Sequence, residues 1–393
     1  MLKEGYKYSY TICMLLLFVS SFMKIYRNSY GYESSQQGGI WNINTLIFIG
    51  LALYFKLRTR VNIPIVIKTA FLYAFVSIFN CLLMLSDTSL WGIYSIIMIV
   101  FYPCTVLVFY YIGRFGHVGK IDKAITNIGF MAISLVAFLS LMSFRTLEMD
   151  FVMVSNAYYP LCLLPLVVAI NKDDKKWIFL SLVLTFVVIL FSTKRTGSIA
   201  LILFILSMYL LKPGSLNSKI LVSNIVKLSL VTIILLGLYN YFSESFDLNI
   251  MERLMNISED KGSGRSEMYD VVFRSIMNSD IISFIFGHGM HTVGQVLPKS
   301  YDAAHDDFLQ VFFEYGFFPF LLLVIHYVYL ITTSLRMRKS NYEHSGLMIG
   351  GVAISLFMSL FSMYCIDFSY VICGAAFTGF FIGDWKKKLN LKY

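Results

Sequence analysis

Mostly apolar runs long enough to cross a bilayer follow one another almost without pause along these 393 residues. About twelve can be marked, at 8–23, 40–55, 63–86, 89–112, 125–143, 151–170, 177–192, 196–211, 220–242, 316–335, 346–364 and 367–384. A hydrocarbon core of about 30 Å takes roughly 20 apolar residues as a helix, and fewer where the bilayer is thin. In lipid every backbone polar group needs an internal partner, so a spanning chain is either helical or a closed barrel. The alternating period of outer-membrane strands is missing, which leaves an all-α polytopic membrane protein of about 12 transmembrane helices. Charge agrees: 14% of residues are charged and 58% hydrophobic, against roughly a quarter charged in a soluble domain.

Lys and Arg concentrate in short cytoplasmic loops. With the N-terminus inside, Lys3, Lys7, Lys56, Arg58, Arg60, Arg114, Lys120, Lys123, Lys172, Lys175, Lys176, Lys212, Lys219, Arg336, Arg338, Lys339, Lys386, Lys387, Lys388 and Lys392 all fall on the inner side. The short outer loops then hold Lys24, Arg27, Arg145, Lys194 and Arg195. Both termini are therefore expected in the cytoplasm. The net charge of +9 reflects this bias and a face touching anionic lipid rather than nucleic-acid binding. The first apolar segment lacks a small-residue cleavage site and is followed by Lys24 and Arg27, so it reads as a retained span. Cys13, Cys81, Cys104, Cys162, Cys365 and Cys373 all fall within spans without CxxC spacing, which argues against disulfides and a metal cage.

One segment breaks the rhythm and divides the chain into nine helices (1–242), a large extracytoplasmic loop (243–315), and three helices with a basic tail (316–393). The loop carries twelve of the twenty-three acids, and loops longer than about 15 residues are usually functional or disordered. Its own apolar pattern argues against disorder. Met268, Val271, Val272 and Ile276 fall at helical spacing after a start near Ser263 or Ser266. A second helix is expected from about Ala304, with His305, Asp306 and Asp307 in its first turn and Phe308, Leu309, Phe312 and Phe313 as its apolar stripe. Gly287-His288-Gly289-Met290 marks a turn between them. The loop thus reads as short interfacial helices folded over the bundle.

The candidate chemistry gathers here and at one junction. Lys194 and Arg195 separate two apolar segments of about sixteen residues, so they sit at the outer membrane surface, where charge is costly unless paired or solvated. They are either snorkelling cations or the receivers of an anion. Arg265 follows Gly262 and Gly264, which let backbone approach a ligand closely. Arg274 lies about 2.5 turns further along, on a different face. His305 beside Asp306 is the acid–base candidate, because histidine carries a proton near neutral pH; the alternative is a cap histidine. A metal held by His288, His291 and His305 lacks the i, i+4 spacing of a helical zinc motif. Within the spans, Lys68 and Lys227 have no acid at matching depth, and Asp367 falls in a tight turn. That argues against an ion pathway.

Ser192-x-x-Arg195-x-Gly197, Gly264-Arg265, Gly287-His288-Gly289 and Ala304-His305-Asp306-Asp307-Phe308-Leu309 with Glu314 and Gly316 together resemble the O-antigen polymerase and ligase family of the Wzy and WaaL type. The motifs cover about residues 185–335. Family members usually carry Asn after the histidine, where Asp306 stands, and Gly-Leu-x-Gly after the glutamate, where Gly316-Phe317-Phe318-Pro319 stands. The resemblance implies a GT-C-like, metal-independent glycosyltransferase of the bacterial inner membrane, without cofactor, with its loop in the periplasm. Its donor and acceptor would be glycans linked to undecaprenyl pyrophosphate, with a chain-length regulator protein as a further partner. Carried over, Arg195 and Arg265 would hold the pyrophosphate and His305 would position or deprotonate the acceptor hydroxyl. Lys194, Asp306, Arg274, Glu314, Gly287 and Gly289 would line the substrate. A polymerase is the first expectation, a ligase to lipid A-core the nearest alternative, and a lipid-linked oligosaccharide flippase the alternative from another class.

Overall fold

The computed structural model describes residues 9–30, 38–59, 61–84, 98–146, 154–213, 218–246, 265–298, 303–364 and 368–390. Among them all regular structure is helical: α1 Ser9–Tyr30, α2 Gly38–Arg58, α3 Ile65–Leu83, α4 Phe101–Phe115, α5 Lys120–Thr146, α6 Tyr158–Ile170, α7 Lys175–Ser192, α8 Arg195–Leu210 and α9 Ser218–Phe246 come first. The loop contributes α10 Arg265–Met277, α11 Ile281–Phe286, α12 Val293–Val296 and α13 Asp307–Tyr315. Then follow α14 Phe317–Lys339, α15 Ser345–Phe361 and α16 Phe368–Asn390. Gly262, Ser263, Gly264, Cys365 and Asp367 lie outside the described residues.

Each apolar segment of the sequence holds a helix, but they do not all have spanning length. Five helices are long and apolar enough to cross a membrane: Ile65–Leu83, Lys120–Ser143, Lys175–Ser192, Val222–Ser243 and Phe317–Lys339. Ser9–Ile25, Tyr158–Ile170, Arg195–Leu210 and Ser345–Phe361 are apolar but shorter. The chain is a helical membrane protein. The expected span 151–170 is a 13-residue helix behind a 3-10 turn, Val154–Ala157. At 1.5 Å per residue it is about 20 Å long. It stays inside the bundle instead of facing lipid, since all of its residues are buried.

The tightest seam joins α4 to α16. A Cβ on Gly379 would stand 2.2 Å from the Val106 carbonyl oxygen, and one on Gly383 2.2 Å from that of Tyr110. From the other side, a Cβ on Gly113 would meet the Phe380 oxygen at 2.3 Å. Gly379-x-x-x-Gly383 is thus a small-residue helix contact, where close backbone approach supplies the packing that lipid cannot drive. Gly383→Leu is expected to remove most folded protein, seen as lost thermal melting in detergent. Gly237→Leu is the control, because nothing lies within 4 Å of a Cβ there.

Glycine also lets α15 lie on α8. A Cβ on Gly346 would come 2.8 Å from the Ser207 oxygen, and one on Gly350 equally close to the Phe204 ring. The end of α15 therefore meets the start of α8. The opposite end of the bundle collects the basic residues: Lys172 and Lys388 reach Glu343, and Lys387 donates to the Gly116 carbonyl at 2.8 Å.

The loop between α9 and α14 builds a small core of its own. Met268, Val272 and Ile276 of α10 pack with Val293, Leu297, Ala304 and Phe313. Two glycines with positive φ latch it to the bundle: Gly287 at 86°, packed against the Glu314 and Tyr315 backbone, and Gly316 at 89°, packed against the Ile285 and Gly287 backbone. Asn80 of α3 donates to the Tyr315 carbonyl at 2.7 Å and so ties α3 to the same corner.

Two expectations for this loop are corrected. The last loop helix begins at Asp307, not near Ala304, with Asp306 as N-cap accepting from Leu309 N at 2.9 Å. His305 stands outside it, in left-handed backbone with φ 54°. Nor does α13 simply lie on the surface: Asp307, Gln310 and Glu314 are 0%, 2% and 1% exposed. Asp307 Oδ2 accepts from Ser359 Oγ and Tyr364 N, and Glu314 Oε1 accepts from Gln310 Nε2 and Val293 N, and these bonds offset part of the cost of enclosing a helix with two acids.

Candidate active site

The α7–α8 junction is a tight turn. Thr193 ends α7 in left-handed backbone at φ 51°, and Lys194 N donates to Ser192 Oγ at 3.2 Å. Arg195 opens α8, flanked by Lys194 and Thr196. Thr196 Oγ1 donates to the Phe361 carbonyl at the end of α15 at 3.2 Å. Arg265, first residue of α10, donates from Nη1 to that same carbonyl and lies 3.5 Å from Thr196 Oγ1. Tyr269 follows Arg265 by one helical turn, on the same face, and its hydroxyl donates to the His305 carbonyl at 3.2 Å.

Asp307 fixes the approach of His305. Its Oδ2 accepts from Ser359 Oγ at 2.7 Å and from Tyr364 N at 2.9 Å, which pins the start of α13 to the end of α15. Lys194, Thr196, Arg265, Tyr269, His305 and Asp306 therefore share one corner, although three separate segments supply them. A non-glycine residue with positive φ is uncommon and often marks a functional site. Among the described residues Thr193, His291, His305 and Asn341 are such cases, and Thr193 and His305 flank this corner.

The electrostatics are those of a partly buried, positive corner. Burial pushes the His305 imidazole down to about 4, and Arg265 and then Lys194 add to the shift. At neutral pH the ring is uncharged and able to accept a proton. Burial raises the Asp306 carboxyl to about 6, against the opposing amides of Leu309 and Phe308. The Tyr269 hydroxyl rises to about 12, again by burial. Two cations beside a neutral histidine form a receptor for an anion next to a proton acceptor.

The other residues singled out in the sequence sit elsewhere. Arg274 pairs with Asp270 at 2.8 Å on the exposed face of α10. Glu314 lies beneath the loop, where Gln310 Nε2 donates to it at 3.2 Å and Val293 N at 3.4 Å, and burial raises it to about 7. Gly289 N donates to the Glu314 carbonyl at 3.1 Å, so Gly287 and Gly289 join the turn to the end of α13. His288 stacks on Phe313 at 4.2 Å and contacts Ser279 Oγ and the Phe313 carbonyl with its two ring nitrogens. Among the described residues, a group with metal-ligand spacing is Glu343, His344 and Asp384 at the basic end, where Lys172 and Lys388 already compensate Glu343.

Thr196, Tyr269 and the Phe361 carbonyl were not singled out in the sequence. Tyr269 had a signal, its i+4 position after Arg265; the carbonyl had none. Asp306→Asn tests the cap directly. Asparagine caps as well as aspartate, and the amide lacks the raised carboxyl. A raised pKa favours the folded state at low pH and is lost as pH climbs from 3.8 to about 6. The variant is expected to melt higher than the parent at pH 7 and to lose that lead by pH 4.

A family model described as O-antigen ligase, Wzy_C, matches residues 180–324, from within α7 into α14. The matched stretch contains every residue of the corner except those of α15, and it supports the O-antigen polymerase and ligase family. No curated protein matches the chain.

Proposed function

We propose that this chain, with its domain of the O-antigen polymerase and ligase family, is a glycosyltransferase that polymerises undecaprenyl-pyrophosphate-linked repeat units at the periplasmic face of the inner membrane. The observation that carries the reading is the convergence of Arg265 and Lys194 on the neutral ring of His305. A glycosyl pyrophosphate needs its leaving group's charge stabilised more than it needs a proton. Fixed cations in a water-poor site do this without reorganising.

In the proposed step an acceptor hydroxyl oxygen bonds to the anomeric carbon of the donor sugar as the bond from that carbon to the pyrophosphate oxygen breaks. The pyrophosphate leaves with the bonding electron pair beside Arg265, Arg195 and Lys194. The hydroxyl proton passes to His305 and then to water. No metal is required, because these cations supply the charge stabilisation a divalent ion would give. Arrival of the anionic donor offsets Arg265 and Lys194 and moves the His305 pKa up, which makes it a better base in the complex.

The family model's own description favours a second reading, a ligase that moves finished chains to lipid A-core. Deleting the gene and examining cell-surface glycans separates them. A polymerase leaves core capped by a single repeat unit. Bare core with long lipid-linked polymer means ligase, and repeat units held on the cytoplasmic face mean flippase; either of these overturns the proposal.

A further inference from the structure

At the basic end, away from the corner just described, α7, α8 and α9 diverge around a cavity of about 400 Å³. Its charged lining is Lys172, Lys175, Lys212, Lys227 and Glu343, with His344 beside them. Glu343 is held by Lys172 at 3.1 Å and by Lys388. Among the described residues no ion pair reaches Lys175, Lys212 or Lys227. Nearby Asp174 accepts from Lys176 N and Trp177 N as the N-cap of α7. Four ammonium groups against one carboxylate leave the cavity positive.

The frame holding these lysines is fixed. Buried Asn224 donates to the Tyr209 carbonyl at 2.8 Å, which clips α9 to the end of α8 one turn before Lys227. A Cβ on Gly346 would lie 3.2 Å from Lys212 N, so α15 backs the lysine closely.

The cavity continues into a groove of different character. Val231 lines both, and beyond it a cleft of about 250 Å³ runs between the same helices past Leu228, Leu235, Leu201, Ile205 and Phe186. From Leu228 to Tyr239 it follows α9 for about 16 Å at 1.5 Å per residue, close to the depth of one leaflet of a roughly 30 Å core. A positive cavity opening onto an apolar groove one leaflet deep complements an anionic amphiphile. A free phosphate would have no use for the groove, and a neutral lipid none for the lysines.

We propose that this cleft binds one anionic phospholipid, its phosphate among Lys172, Lys175, Lys212 and Lys227 and one acyl chain along α9 past Val231. Basic pockets between transmembrane helices recognise such headgroups. The headgroup end lies away from the glycan-transfer corner, while the far end of the groove reaches Ser198, whose hydroxyl donates to the Lys194 carbonyl at 3.3 Å; the proposal does not rest on the activity assigned to that corner. Its long lysines reach the interface while their stems stay on apolar surface.

Native mass spectrometry of the full-length protein tests this, with phosphatidylglycerol, phosphatidylcholine or inorganic phosphate added. The expected result is one retained phosphatidylglycerol per chain, little phosphatidylcholine, and no competition from inorganic phosphate. Each lysine near an anionic headgroup contributes about a factor of five, so Lys212→Gln with Lys227→Gln should weaken retention roughly 25-fold. The Lys→Arg pair should restore it, and Leu228→Trp should weaken it by filling the groove. Unchanged lipid-free melting of the lysine variants shows that they fold. Equal retention by the Gln pair, equal binding of phosphatidylcholine, or displacement by inorganic phosphate would each overturn the proposal.

Discussion

Arg265→Ala is expected to lower chain transfer by roughly 10²–10³-fold, the usual loss when a fixed donor to a developing negative charge is removed. The guanidinium is aimed before substrate arrives, because the Phe361 carbonyl takes one of its N–H groups. Among the described residues its hydrogen bonds leave from Nη1, to Phe361 and Thr196, and in the proposed step Nε and Nη2 serve the ligand. Arg265→Lys keeps the charge but not the planar fork, so it should recover only part of the rate. The measurement is polymer formed from lipid-linked repeat units in proteoliposomes, normalised to inserted protein. Arg274→Ala is the matched control on the same helix. Its partner is Asp270 on the exposed face, and exposed pairs contribute little. Activity within twofold of the parent is expected there. Normal chain-length ladders from the Arg265→Ala protein would remove the arginine from the reaction.

His305→Ala is expected to lower transfer by about 10²–10⁴-fold, the range for a positioned acid–base group. Left-handed backbone costs a non-glycine residue roughly 1–2 kcal/mol, and His305 carries that strain at φ 54°. His305→Gly should therefore be as inactive as the alanine variant yet melt higher than the parent. A residue kept for packing would lose stability in both. The ionisation gives a further readout. Since the folded pKa of about 4 lies below the usual 6.5, the unfolded chain binds the proton preferentially between those values. The contribution to stability is complete above pH 6.5 and is lost as pH falls towards 4. In kinetics, the acid limb of kcat/KM reports the free protein and should fall near pH 4. The acid limb of kcat should lie higher, because the bound pyrophosphate offsets Arg265 and Lys194. Coincident limbs would argue against an anion beside this histidine.

Much of this architecture is legible in the residues because lipid and helix periodicity leave few choices. The apolar runs mark where helices form, and the spacing of Met268, Val272 and Ile276 marks the buried face of α10. Arg265 and His305 stand out from local sequence and resemblance, and Arg265 lies near enough to His305 to lower its pKa. What failed was the environment of acids. Asp307 is expected in the first turn of an interfacial helix and Glu314 as a substrate-lining residue, yet both are buried and hydrogen-bonded within the protein, Asp307 by Ser359 of α15 and by Tyr364 just beyond it. Nothing local announces a partner that distant. Length misled in the opposite way at α6, where an apolar run suited to crossing lipid is a short helix enclosed by its neighbours. The seam between α4 and α16 carried a readable sign, Gly379-x-x-x-Gly383, that hydropathy alone passes over.

The shared carbonyl of Phe361 also sets a clock on biosynthesis. Thr196 precedes it by 165 residues and Arg265 by 96. A nascent chain inserted through α14 has already made Lys194, Arg195, Arg265 and His305, but lacks the backbone oxygen that aims Arg265 and the Ser359 and Tyr364 groups that pin Asp307. Such an intermediate holds the reagents without the geometry. On the proposed function, competence for transfer would await Phe361 at the end of α15 and Tyr364 just beyond it, so a polypeptide stalled before them would sit in the membrane without consuming substrate.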